Sequence, residues 1–222
     1  MEIFIDSANL DEIRQAAESG VVDGVTTNPS LIAREGADFE STIREICRIV
    51  DGPVSAEVIA TDYQGILEEA RRIAALDERV VVKVPLIPEG VRAVATLSQE
   101  GIKTNLTLCF SVNQAIMAAK AGATYVSPFI GRLDDIGMDG VAELEEIVEV
   151  FATYGFETKV LAASIRHPEH VRQAALIGAD VVTIPFGVFR KLFSHPLTDQ
   201  GLEKFLEDWH RARLEVKEGA GG

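Results

Sequence analysis

The chain has 222 residues, 47% of them hydrophobic, so it is long and apolar enough to bury a sizeable core and is not intrinsically disordered. Its formal net charge of −14 at pH 7 argues against a nucleic-acid partner, and an anionic ligand would have to be bound by a few well-placed arginines. No apolar run is long enough to cross a membrane, the N-terminus lacks a signal-peptide pattern, and Cys47 and Cys109 suit neither a disulfide framework nor a metal site, so we expect a cytoplasmic protein.

Short β-branched runs alternate with amphipathic runs along the chain. The predicted strands cover residues 2–6, 22–28, 53–59, 80–85, 102–108, 124–129, 158–164 and 180–185. Apolar residues at helical spacing predict helices over residues 9–19, 38–50, 63–77, 89–99, 111–121, 139–153, 167–177 and 186–193. This alternation predicts an α/β fold, a (β/α)8 TIM barrel. An open doubly wound sheet is the alternative, weakened because no G-x-G-x-x-G motif follows the first strand.

An extra C-terminal helix is predicted over residues 197–217, after the eighth unit of a single barrel domain that spans residues 1–222. Four large apolar side chains fall on one stripe of this helix: Leu202, Phe205, Leu206 and Trp209. Such a stripe must be buried, either on the helix's own barrel or on a neighbouring subunit, and the sequence does not choose between them. The glycine-rich residues 219–222 are expected to be disordered.

Lys83 is the most informative residue, because it lies alone in the apolar strand Val80–Pro85. Moving an ammonium group out of water costs several kcal/mol, so burial favours the neutral amine. A neutral amine is a nucleophile that can form a Schiff base with a carbonyl group. The alternative is a structural lysine that pairs with a carboxylate.

Polar side chains stand near the C-terminal ends of seven predicted strands, where barrel enzymes place their catalytic groups. Side chains two apart on a strand share a face, so these groups converge on one mouth of the barrel. Besides Lys83, the set comprises Asp6, Thr26, Thr27, Asn28, Glu57, Asn105, Thr107, Ser127 and Ser164. Asp6 and Glu57 could hold the lysine charged in a buried network, or they could divide proton transfer and water activation between them. The number of polar strand ends favours a catalytic site.

Two arginines follow the sixth and seventh strands, each in a predicted loop. They are Arg132 and Arg166. The planar guanidinium fork matches phosphate oxygens, and loops late in a barrel are frequent phosphate sites. Surface salt bridges are the alternative for each arginine.

His167 and His170 have i, i+3 spacing in the seventh predicted helix. Because no third metal ligand is near them in sequence, we interpret both as solvated helix residues. We therefore expect no metal site here.

Several motifs resemble the transaldolase family in its small-subunit, fructose-6-phosphate aldolase-like branch, and the resemblance runs over essentially the whole chain. They are IFIDSAN at residues 3–9, GVTTNPS at 24–30, VKVP at 82–85, TNLTL at 104–108, SPFIGR at 127–132 and ASIR at 163–166. The resemblance implies a barrel with a Schiff-base lysine at Lys83, without a metal or an organic cofactor. It also implies a homo-oligomer built from rings, commonly a decamer, joined by the terminal helices.

The activity that the resemblance implies is transfer of a dihydroxyacetone unit between sugar phosphates, in the pentose phosphate pathway. The donor would be sedoheptulose 7-phosphate or fructose 6-phosphate, and the acceptor glyceraldehyde 3-phosphate or erythrose 4-phosphate. The implied catalytic residues are Lys83, Asp6, Glu57 and Thr107. The implied substrate-binding residues are Thr26, Asn28, Asn105, Ser127, Phe129, Arg132, Ser164 and Arg166.

Three alternatives stay open at this point. Fructose-6-phosphate aldolases, which release free dihydroxyacetone, look similar along the chain but tend to carry glutamine and tyrosine in place of Glu57 and Phe129. A sugar-phosphate isomerase or epimerase could use Glu57 or Asp6 as a base without a Schiff base. A non-enzymic barrel could use its terminal helix for assembly.

Overall fold

In a computed structural model, the backbone of residues 1–219 and the side chains of residues 1–213 are described. The expected disorder of the glycine-rich tail concerns residues 220–222, which lie outside the described residues, and Gly219, which ends the last helix.

Eight parallel strands close into a barrel in chain order, because the first strand pairs with both the second and the eighth. This confirms the predicted (β/α)8 fold. The strands are β1 (Glu2–Asp6), β2 (Gly24–Thr26), β3 (Val54–Glu57), β4 (Val80–Pro85), β5 (Thr104–Cys109), β6 (Tyr125–Pro128), β7 (Lys159–Ala162) and β8 (Val181–Ile184).

The helices include the predicted ones and two that the sequence analysis missed. They are α1 (Leu10–Ala17), α2 (Pro29–Glu35), α3 (Phe39–Ile49), α4 (Tyr63–Ala74), α5 (Pro88–Gln99), α6 (Val112–Lys120), α7 (Ile130–Asp135), α8 (Gly140–Tyr154), α9 (Pro168–Ile177), α10 (Phe186–Lys191) and α11 (Pro196–Gly219). The missed helices, α2 and α7, have only 7 and 6 residues, too few to show a repeated apolar stripe. The prediction that Arg132 lies in a loop was therefore wrong, since it lies in α7.

Alternation along the strands separates two apolar layers. Outward side chains such as Ile5 and Val82 belong to the large core between the barrel and its helices. Inward side chains, among them Phe4, Val81 and Tyr125, fill the barrel interior as a second cluster. Gly24 makes room for the first of these, because a Cβ atom there would lie 2.8 Å from the Phe4 ring. The inward-facing polar residues Asp6 and Lys83 lie two positions further along their strands than Phe4 and Val81, next to this packed interior.

The chain contacts divide into one unit that ends at Phe189 and a second that begins at Arg190. In the second unit, α11 includes the predicted C-terminal helix. The four apolar side chains of its stripe are each more than half exposed: Leu202, Phe205, Leu206 and Trp209. Within the part of the chain that the structure describes, no helix combines the length and the apolar character that a membrane crossing requires.

Candidate active site

Lys83 lies on the inner face of β4, two residues after Val81, and its residue is only 6% exposed. Its Nζ atom lies 3.0 Å from Oε2 of Glu57 and donates a hydrogen bond of 3.3 Å to the backbone carbonyl of Thr27. The Phe129 ring centroid is 5.9 Å from the same nitrogen. The amine is thus buried beside one carboxylate, which can stabilise the ammonium or accept its proton.

Asp6 ends β1 and faces the same interior. Its Oδ1 accepts a hydrogen bond of 2.9 Å from the Thr26 hydroxyl, which also lies 2.6 Å from the Thr183 hydroxyl. Burial raises the pKa of Asp6 above its ordinary value, and the opposing effects of Lys83, Thr26 and Arg132 offset this only in part. A carboxylate whose proton affinity is raised in this way is suited to proton transfer.

Asn105 and Ser127 form a buried polar pair on neighbouring strands β5 and β6. The Ser127 hydroxyl donates to Oδ1 of Asn105 at 2.7 Å, and the Asn105 amide donates to the Ser55 hydroxyl at 3.4 Å. These bonds determine the orientation of the Asn105 amide, with Oδ1 toward Ser127 and Nδ2 toward Ser55. Thr107, two residues further along β5, is buried, and its hydroxyl has no hydrogen-bond partner among the described residues.

Arg132 and Arg166 approach the site from α7 and from the segment after β7. The Arg132 guanidinium lies 4.8 Å from the Phe129 ring centroid, a cation–π distance. The Arg166 guanidinium forms an ion pair of 2.6 Å with Asp135, in which both side chains are about half exposed. The surface salt bridge considered for Arg166 is therefore present. Exposed pairs of this kind contribute at most about 1 kcal/mol, so a phosphate group could compete for the guanidinium.

Gly131 allows α7 to approach the segment that carries Ser164 and Arg166. A Cβ atom at Gly131 would lie 2.1 Å from the Ser164 carbonyl oxygen and 2.8 Å from Cγ of Arg166. Ser164 itself has a left-handed backbone, with φ of 60°. A non-glycine residue adopts this conformation only when its surroundings hold it there.

Most of the predicted site residues line one cavity of about 350 Å³ at the C-terminal ends of the strands. The predicted residues in its lining are Asp6, Thr26, Asn28, Lys83, Ser127, Phe129, Arg132, Ser164 and Arg166. Glu57 instead lines a neighbouring cavity of about 400 Å³ while it contacts Lys83. Asn105 and Thr107 are buried on the inner face of β5. The described residues contain no group of three histidine, cysteine, aspartate or glutamate side chains arranged to bind a metal ion.

Sequence reasoning missed three polar residues of the first cavity: Ser30, Arg34 and Thr183. The position of Thr183, two residues after Val181 on β8, was a usable signal, because the two side chains share a face. Ser30 and Arg34 lie on α2, whose existence was not predicted. Arg34 forms no ion pair with any described residue and adds a third arginine to the cavity.

His170 is buried, at 4% exposure, so the interpretation of both histidines as solvated helix residues was wrong for this one. It faces Asp134 and the backbone of Arg166. His167 is exposed, as expected, and accepts a hydrogen bond from the His170 backbone as the N-cap of α9. The difference arises because only one face of α9 packs against the rest of the barrel unit.

Comparison with known proteins shows similarity over almost the full length. Residues 3–217 match a family model described as "Transaldolase/Fructose-6-phosphate aldolase". A "Probable transaldolase" of Petrotoga mobilis is 63% identical over 211 residues, covering 95% of this chain and 96% of the relative. A protein of the same name from Kosmotoga olearia is 63% identical over 96% of this chain and 98% of the relative, and one from Methanococcus maripaludis is 61% identical over 94% and 97%.

Among solved structures, the thiamine phosphate pyrophosphorylase of Pyrococcus furiosus superposes with a TM-score of 0.57. The superposition covers 83% of this chain and 85% of the pyrophosphorylase chain, and the two sequences are 17% identical. At that identity the likeness concerns the barrel fold alone.

Proposed function

The chain belongs to the transaldolase/fructose-6-phosphate aldolase family, and on this premise we propose that it is a transaldolase that works through a Schiff base on Lys83. It would transfer a dihydroxyacetone unit from fructose 6-phosphate or sedoheptulose 7-phosphate to erythrose 4-phosphate or glyceraldehyde 3-phosphate. The observation that carries the proposal is the buried Lys83 amine 3.0 Å from Glu57, in contact with a cavity that also contains Arg132 and Arg166.

Imine formation begins with transfer of a proton from Lys83 to Glu57. The neutral amine attacks the C2 carbonyl of the ketose and forms a carbinolamine. Glu57 then returns the proton to the departing hydroxyl group, which leaves as water. The buried Thr107 hydroxyl, whose hydrogen-bonding capacity is unused by the described residues, holds this water together with Glu57.

Carbon–carbon cleavage follows at the imine. Asp6 takes the proton from the C4 hydroxyl, the C3–C4 bond breaks, and its electron pair moves into the protonated imine to give an enamine on Lys83. The aldose phosphate leaves, an acceptor aldehyde takes its place, and the steps run in reverse. Asn28, Asn105 and Ser127 hold the hydroxyl groups of the three-carbon unit. Thr26 orients Asp6 through their 2.9 Å hydrogen bond.

The phosphate of each sugar would be bound by Arg132, Ser164 and Arg166. We expect Arg132→Ala and Arg166→Ala each to reduce kcat/KM for fructose 6-phosphate, because each removes charge-assisted hydrogen bonds. The reduction should correspond to a loss of about 2–4 kcal/mol in transition-state stabilisation. Activity toward unphosphorylated fructose should change far less. Kinetics with both sugars measures the difference.

Arg172→Ala is the matched control for these variants, because Arg172 pairs with Glu169 on the exposed face of α9. It should leave both substrates unaffected. Equal losses with the phosphorylated and the unphosphorylated sugar would mean that Arg132 and Arg166 act on the structure and not on phosphate.

The choice between a transaldolase and an aldolase depends on the fate of the enamine. Phe129 is buried, its ring is 5.9 Å from Nζ of Lys83, and it has no hydroxyl group that could deliver a proton to the enamine. The intermediate would therefore persist until an acceptor arrives. We expect Phe129→Tyr to raise cleavage of fructose 6-phosphate without acceptor and to slow transfer, because a phenol near the enamine can help to protonate it.

A coupled assay for glyceraldehyde 3-phosphate, with and without erythrose 4-phosphate, tests both the function and this variant. The wild-type protein should form product rapidly only when the acceptor is present. If fructose 6-phosphate is cleaved equally fast without acceptor, the chain is an aldolase that releases free dihydroxyacetone.

The quaternary structure and the location remain predictions. The exposed apolar stripe of α11 supports contact with a second copy of the chain, in keeping with the ring-based homo-oligomer that the family resemblance implies. A cytoplasmic location and a role in the pentose phosphate pathway follow only from the proposed activity and the sequence.

A further inference from the structure

We propose that His170 is a positioning residue for the anion-binding end of the cavity, where its neutral imidazole holds the backbone of Arg166 and connects it, through Asp134, to the helix that carries Arg132. The proposal rests on the proposed function only in assigning these arginines to an anionic group of the substrate. It adds a residue that does not itself line the cavity.

The His170 ring joins two parts of the structure. Its Nδ1 accepts a hydrogen bond of 3.3 Å from the backbone N–H of Arg166, and its Nε2 lies 3.0 Å from Oδ2 of Asp134. The other carboxylate oxygen of Asp134 accepts a 3.0 Å hydrogen bond from the backbone of Gly140, at the start of α8. One buried side chain therefore connects the Arg166 segment to α7, and Asp134 extends the connection to α8.

The two contacts determine the tautomer. A backbone N–H can only donate, so Nδ1 must be unprotonated where it meets Arg166. The ring proton is then on Nε2, where it is donated to Asp134. A protonated imidazole would carry hydrogens on both nitrogens and could no longer accept the Arg166 hydrogen bond.

The Arg166 segment depends on such support because its backbone is unusual. Ser164 has φ of 60°, a conformation that L-residues rarely adopt without constraint. On its other side the segment lies so close to Gly131 that no side chain would fit between them. Among the described residues, the Arg166 guanidinium forms one ion pair, the half-exposed pair with Asp135. The part-buried hydrogen bond to His170 is therefore a contact that can orient the backbone of this arginine.

Several charged groups face the His170 ring. Asp134 on α7 favours the imidazolium, whereas His167, at the N-cap of α9, and Arg166, on the segment before α9, oppose it. Glu169, also on α9, interacts with both histidines and is itself paired with Arg172. Burial is the largest influence and lowers the pKa of His170, so the neutral ring prevails at pH 7 and above.

The binding of sulfate, measured by calorimetry between pH 5 and pH 8, tests the proposal directly. Sulfate remains a dianion over this range and needs no turnover. The affinity of the wild-type protein should fall about 3- to 10-fold as the His170 ring, followed by NMR in the same buffers, becomes protonated, which is the equivalent of one lost hydrogen bond. Simple charge attraction predicts the opposite, because an added positive charge strengthens anion binding.

Two variants separate the two ring nitrogens. His170→Asn keeps an acceptor at the δ position for Arg166, so it should bind sulfate like the wild type at pH 8 and should not weaken toward pH 5. His170→Gln keeps a donor at the ε position for Asp134 but loses the acceptor, so its affinity should be about 3- to 10-fold lower at every pH. Thermal unfolding of each variant establishes that it is folded.

His167→Asn is the matched control. It removes the neighbouring imidazole but retains a residue that caps helices well, so the pH-dependent loss should persist. The proposal is overturned if wild-type affinity rises or stays constant as the His170 ring becomes protonated, if the two His170 variants bind sulfate equally well, or if the wild type binds no sulfate. The expected sulfate results without any transfer activity would refute the proposed function alone.

Discussion

Lys83→Arg should abolish both turnover and the covalent adduct that borohydride traps with fructose 6-phosphate. In the wild-type protein, reduction of the imine should add one dihydroxyacetone-sized mass to the peptide that contains Lys83. A guanidinium group stays protonated under all conditions that the protein tolerates, so it cannot attack a carbonyl even beside Glu57. Intact-mass and peptide-mass measurements detect the adduct, and the coupled assay for glyceraldehyde 3-phosphate measures turnover.

Lys159→Arg is the matched control for this experiment. Lys159 begins β7 and pairs with Glu2 at the start of β1, which places it at the opposite end of the barrel from Lys83. The control should keep full turnover and the full adduct. An adduct on any lysine other than Lys83, or none in the wild type, would refute the Schiff-base mechanism and favour an isomerase or epimerase that uses a carboxylate base.

Asp6→Asn should lower kcat about 100- to 10,000-fold, the usual contribution of a well-placed general base. The amide oxygen can still accept the hydrogen bond from Thr26, so the geometry should persist while the proton acceptor is lost. The imine on Lys83 should still form, because that step is assigned to Glu57. Borohydride trapping with fructose 6-phosphate should therefore yield an adduct of the uncleaved sugar, a larger mass than the wild type gives.

The same substitution should stabilise the fold at neutral pH. Because the pKa of Asp6 is raised on folding, the folded state holds this proton more tightly than the unfolded state does. The stability that this proton contributes is fully present when the pH lies below the ordinary pKa of 3.8. It is lost as the pH rises through the raised pKa of the folded state. At pH 7 the desolvated carboxylate is thus destabilising, and asparagine removes that cost.

Thermal unfolding measures this gain. Each kcal/mol of relief should raise Tm by about 2–4 °C in a chain of this size. The difference between Asp6→Asn and the wild type should disappear well below pH 3.8, where the aspartate is protonated in both states. An asparagine variant with wild-type turnover, or with a lower Tm at pH 7, would mean that Asp6 serves as a structural ion-pair partner of Lys83.

The sequence alone determined the barrel and the inward row of polar residues, because both depend on short-range periodicity. Strands alternate with a period of two residues and helices with one of 3.6, and both patterns are legible without tertiary contacts. Asp6 and Lys83 follow the inward core side chains Phe4 and Val81 by two residues, so their convergence was predictable. The motifs that resemble the transaldolase family extend over the same strand ends, and the family membership is confirmed.

Only the tertiary structure decided how these residues pair and which helices complete the site. Short helices such as α2 and α7 have too few turns to show an apolar stripe, so Arg34 could not be assigned to the cavity. The burial of His170 depends on α7, which brings Asp134 to within 3.0 Å of its ring from 36 residues earlier in the chain. Contacts of this kind depend on the packing of separate segments, which leaves no periodic signal in the sequence.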